Sequence, residues 1–142
     1  MESQTLTCPE CGASRINGLD CFGQLGQIGV WEYNDSELLA EHFLTVASYN
    51  LQHPAKFTEA AIEGLRTVFL AYLKGEMGVS EIRKKVAYFA NGKARVLKPK
   101  ADRQNYKLKR WPITIASVYL ENQPAGAATR VRTWAQSIAQ EL

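Results

Sequence analysis

The sequence predicts a mainly α-helical fold, a small bundle of about five helices with an N-terminal zinc-knuckle and loop segment. Three observations carry this reading. Apolar residues recur at helical spacing through most of the chain after residue 35. Gly, Pro and capping residues punctuate those runs. The three cysteines, Cys8, Cys11 and Cys21, are confined to the start of the chain. A length of 142 residues with 46% apolar and 22% charged composition suits one domain, 1–142, around one core.

Residues 1–35 carry Gly12, Gly18, Gly23, Gly26 and Gly29 and few long apolar runs, so they read as turns and loops. Asn34 with Glu37 resembles a capping box and opens a helix from about Ser36 to Gln52, which Pro54 ends by disfavouring helical geometry at His53. Thr58 caps a second helix to about Lys74, with Ile62, Leu65, Val68, Phe69, Tyr72 and Leu73 at helical spacing. Gly75 and Gly78 close it. Ser80 caps a third helix that buries Ile82, Val86 and Phe89 and stops at Gly92. Residues 93–110 lack periodicity and read as an exposed connection. Thr114 caps a short helix to about Leu120. A last helix runs from about Ala127 to Glu141 with Val131, Trp134, Ala135 and Ile138 on one face.

Charge is unevenly spread. Lys93, Arg95, Lys98, Lys100, Arg103, Lys107, Lys109 and Arg110, against Asp102 alone, give this segment +7, while the whole chain is +3. The remainder is therefore −4, and a local basic loop describes the chain better than a basic protein. No run approaches the roughly 18 apolar residues of a membrane span. The N-terminus is polar and lacks the apolar core of a signal peptide, so a cytoplasmic, reducing setting is expected.

In that setting three crowded cysteines suit a metal better than a disulfide framework. Cys8-Pro9-Glu10-Cys11-Gly12 can place two sulfurs on one ion in a tight turn, and Gly12 permits a left-handed backbone there. Cys21 returns as a third thiolate. Structural zinc commonly takes three Cys and one His. Only His42 and His53 exist to complete the set. His42 is favoured, because its helix follows the loop after Cys21 and the positive helix end favours thiolates nearby. His53 lies roughly 16 Å further along that helix, so one ion cannot hold both. Zinc is the expected cofactor.

Projected at about 100° per residue, the helix over 36–52 shows Phe43, Leu44, Ala47 and Leu51 on one face. His42, Thr45, Tyr49 and Gln52 line the other, with His53 following. These are hydrogen-bonding groups with little charge. They read either as donors tying the knuckle to the bundle, or as a cleft with His53 as acid–base or binding group. The basic segment, with Tyr106 and Trp111 nearby, could grip nucleic acid through phosphates and stacking. The alternative is a solvated loop that aids solubility. Trp134 sits at core spacing, and Trp111 before Pro112 could plug the bundle end.

These motifs resemble a family of uncharacterised bacterial proteins classed under a domain-of-unknown-function label. The matching pieces are CPECGA at 8–13, Cys21 with Phe22, HFLTVASYNLQHP at 42–54, WPITIAS at 111–117 and VRTWAQSIAQEL at 131–142. The pattern falls on Cys8, Cys11, Cys21, His42, Thr45, Tyr49, Gln52, His53, Pro54, Trp111 and Trp134. Phe43 stands where a polar or basic residue is expected, and 93–110 is more basic than the Pro-rich stretch associated with that place. The resemblance implies the layout and no substrate. Together the observations point to a binding or interaction module with structural zinc and a protein or small-molecule partner. An enzyme built on the His42/Tyr49/His53 face and a nucleic-acid binder are the competing readings.

Overall fold

The computed structural model describes residues 6–90, 96–103 and 107–142, and the side chains of all of these except 86–90. The expectations for Val86, Phe89, Gly92, Lys93, Arg95 and Tyr106 lie outside the described residues. The protein is mainly helical, with seven α-helices among the described residues: α1 (Cys21–Trp31), α2 (Ser36–Ala40), α3 (His42–Leu51), α4 (Glu59–Leu73), α5 (Val79–Ala90), α6 (Ile115–Tyr119) and α7 (Ala127–Glu141). No helix among them is long and apolar enough to cross a membrane. Close contacts divide the chain into two units, one of residues up to Gln52 and from Lys107 onward, the other His53–Tyr106.

In the first unit α1 packs on α6, and α7 packs on α2, α3 and α6. Trp134, Ile28, Leu38, Leu44, Ile115, Ile138, Val118 and Val131 are fully buried there. The last helix has the bounds its apolar spacing predicts. Asp35 rather than Asn34 caps α2, and α5 begins at Val79, before the expected cap Ser80; two elements differ more from the sequence reading. The expected helix over 36–52 is two helices, interrupted at Glu41, whose backbone leaves helical values (φ −96, ψ 14). More consequentially, α1 occupies part of the segment read as loop. Asp20 caps it by accepting a hydrogen bond from the Gly23 N–H at 2.8 Å. Its buried residues, Cys21, Gln24, Ile28 and Trp31, recur at helical spacing. Each interior glycine costs about 1 kcal/mol relative to Ala, so local preference disfavours this helix and burial of that stripe overrides it.

The second unit holds α4 and α5. Thr58 caps α4 by accepting from the Ala61 N–H, and Gly75 follows its end with φ +77. An isolated antiparallel bridge pairs Phe57 with Leu97, flanked by the Lys98 N–H to the Lys56 carbonyl at 2.8 Å.

Candidate metal centre

The turn from Cys8 to Ala13 is built by backbone bonds. The Gly12 N–H reaches the Cys8 carbonyl at 2.9 Å, and the Cys8 N–H reaches the Ala13 carbonyl at 2.8 Å. Gly12 completes the turn at φ +82, a left-handed value that costs other residues about 1–2 kcal/mol. This geometry points amides at sulfur. The N–H groups of Glu10 and Cys11 donate to the Cys8 Sγ, and that of Ala13 to the Cys11 Sγ, each at 3.4 Å. Donors aimed at a sulfur favour its thiolate form, the form that ligates a metal.

Cys21 is delivered by the first turn of α1. The intervening loop is fixed by Gln24, whose amide donates to the carbonyls of Ser14 and Leu19 at 2.8 and 3.0 Å and which is fully buried. α1 and α3 run in opposite directions. The start of α1 meets the end of α3, where the Cys21 Sγ lies 3.7 Å from the Tyr49 hydroxyl. The end of α1 meets the start of α3, where the His42 Nδ1 lies 3.0 Å from both carboxylate oxygens of Glu32.

That antiparallel arrangement corrects the expected fourth ligand. His42 stands at the far end from the sulfurs, 59% exposed and paired with the buried Glu32. The sequence reading placed it near Cys21 because it took the residues between them for a loop. In the structure α1, about 16 Å long, carries the chain away from Cys21, and α3 brings it back. The residue that arrives beside the cysteines is His53, directly after Gln52. Pro54 disfavours helical backbone at its neighbour, and His53 leaves the helix at φ −130.

The ligand atoms of Cys8, Cys11, Cys21 and His53 all lie within 4.8 Å of one another, and Cys11, Cys21 and His53 are buried. This set can hold a metal ion. Arms of about 2.0–2.3 Å make a tetrahedron with edges of roughly 3.3–3.8 Å, so atoms lying within 4.8 Å of one another close on an ion by shifts of no more than about 1.5 Å per pair. The Cys21 side chain hydrogen-bonded to it, and then burial, hold the Cys11 thiol far above the ordinary thiol range. A divalent ion reverses that preference by stabilising the crowded thiolates. Burial, and then the Cys21 contact, push the Tyr49 phenol up as well. Tyr49 therefore stays protonated at neutral pH and can donate to the Cys21 sulfur.

The remaining stripe residues do other work. Gln52, 1% exposed, donates to the Ile113 carbonyl at 2.9 Å and accepts from the Trp134 Nε1–H at 3.2 Å. Thr45 is buried and donates to the Glu41 carbonyl at 3.2 Å. The face read as one cleft is thus divided among the cysteine cluster, the clamp on α7 and the Glu32 pair. Gln24 and Glu32 were missed by the sequence reading, and the stripe Cys21, Gln24, Ile28, Trp31 was the signal that could have found Gln24.

Residues 6–142 match the family of unknown function DUF5946, so the chain belongs to that family. No curated protein and no solved structure matches the chain.

Proposed function

We propose that this member of the family binds one structural zinc ion through Cys8, Cys11, Cys21 and His53, and that it acts as a binding module rather than through chemistry at the metal. The carrying observation is the buried set of three sulfurs and one imidazole within 4.8 Å. Zinc fits these soft and borderline donors in a closed tetrahedron, whereas hard cations prefer oxygen. Four protein ligands leave no position for an activated water. The ion would fasten the Cys8–Cys11 turn and the start of α1 to the residue that ends α3. Tyr49 would orient the Cys21 thiolate, in the manner of hydrogen-bonding partners around metal sites generally.

The test is metal content by elemental analysis of protein purified without added metal. Close to one zinc per chain is expected, retained in His42→Ala and lost or sharply reduced in His53→Ala and Cys11→Ser. Zinc lost on replacing His42 and kept on replacing His53 would reverse the ligand assignment. A wild-type chain without stoichiometric zinc or another soft metal would end the metal reading.

A further inference from the structure

The basic segment enters the first unit as Lys107, Leu108, Lys109 and Arg110, all exposed. It forms neither helix nor strand, so its position is fixed from outside. The Lys109 N–H donates to the Glu10 carbonyl, between the two cysteines of the turn, at 3.1 Å. The Leu108 side chain lies 3.5 Å from where a β-carbon on Gly12 would stand. The turn that carries two of the candidate ligands is therefore the platform on which three consecutive cations of the sequence are mounted. Beside them the Lys109 ammonium sits 4.1 Å from the centre of the half-buried Trp111 ring. Arg15, also exposed, reaches back to the Gly18 carbonyl from the same Cys-bearing loop.

We infer that Lys107, Lys109 and Arg110, together with Trp111, form a contact surface for single-stranded nucleic acid, held in place by the Cys8–Cys11 turn. Pre-positioned cations suit a polymer of regularly spaced anions. An aromatic ring set among them offers what bases supply and carboxylates do not, a π-face to stack on. Among the described residues, 107–114 form no helix that could enter a duplex groove, which favours the single strand. The part of the inference that makes the surface depend on metal rests on the zinc reading above.

The experiment is fluorescence anisotropy of a labelled mixed-sequence single-stranded oligonucleotide titrated with the full chain, at salt concentrations from about 50 to 200 mM. Metal content is measured on the same samples. Binding that weakens with salt is expected, and K107Q/K109Q/R110Q should flatten the log–log salt slope by about 2, from about 0.7 for each of three phosphate contacts. K98Q/K100Q, in the other unit, should leave the slope unchanged, and far-ultraviolet circular dichroism checks that both variants fold. Chelation should weaken binding as the turn loosens. Zinc-loaded protein that fails to bind at low salt overturns this inference and leaves the metal centre standing. An unaltered slope in the triple variant, or equal affinity for polyglutamate, also overturns it. Absent zinc overturns the metal centre and the expected effect of chelation, while the slope still decides the surface.

Discussion

Replacing Gln52 with Leu removes a clamp at the point where α3 hands the chain to His53. Gln52 is buried, and its amide joins the Ile113 carbonyl to the Trp134 indole N–H. Leu fills similar space but answers neither group. An orphaned buried donor or acceptor costs about 1–3 kcal/mol, so the two together cost roughly 2–6 kcal/mol. The apolar surface that Leu adds to the core returns on the order of 1–2 kcal/mol. From the middle of each range the net expectation is a loss of roughly 2–3 kcal/mol, read as a lower urea midpoint at unchanged slope. In a chain of this size that corresponds to a Tm lower by roughly 5–15 °C. A second readout follows from position. Gln52 immediately precedes His53, so loosening it should weaken zinc affinity by about tenfold in the fraction that remains folded, measured by competition with a chromophoric chelator. A change in stability below about 0.5 kcal/mol, within the ordinary range for surface substitutions, would refute the argument. It would mean that water, or relaxation of the Ile113 loop, satisfies both groups without Gln52.

Four further outcomes follow from the same geometry. Tyr49→Phe keeps the ring and removes the donor at the Cys21 sulfur, so zinc affinity should fall by about 10-fold with near-native circular dichroism, checked by chelator competition. The raised Tyr49 phenol also sets a sign. Its folded pKa lies above its unfolded value, so its contribution to stability is complete below about pH 10 and falls as the pH rises beyond that. The wild type should accordingly lose more stability than Tyr49→Phe in urea titrations between neutral and strongly alkaline pH. Gly12→Ala meets only ordinary contact with Leu108 but must hold φ +82, which should cost about 1–2 kcal/mol and lower zinc affinity in step. Gly26→Ala and Gly29→Ala have open space around the added β-carbon, so each should raise the Tm, by about 0.4–1 kcal/mol of stability.

The glycine substitutions in α1 bear on what the sequence could reveal. Elements whose local signals agree with their burial were legible from the residues. Thr58 caps α4 and Gly75 follows its end, and Val131, Trp134, Ala135 and Ile138 fall on the buried face of α7. The three cysteines were legible as a group because their chemistry is local to one short stretch. α1 was not, because Gly23, Gly26 and Gly29 argue for a turn while Cys21, Gln24, Ile28 and Trp31 argue for a buried face, and only packing decides between them. That one omission displaced the site. With 21–31 read as loop, the nearest imidazole to Cys21 is the first one along the chain, His42. With 21–31 as a helix, the chain must cross the unit and return, and the ligand is whichever residue ends the returning helix. Pro54 marks that residue in the sequence. It stops α3 at Leu51 and turns His53 out of it. His42 then falls to the opposite end of the pair, where it meets the carboxylate of Glu32 at the end of α1. The helix pair therefore separates the two histidines by its own length and assigns them different partners. A single inserted residue in α3 would rotate His53 by about 100° and advance it about 1.5 Å, taking it away from the three sulfurs while leaving every ligand present in the sequence.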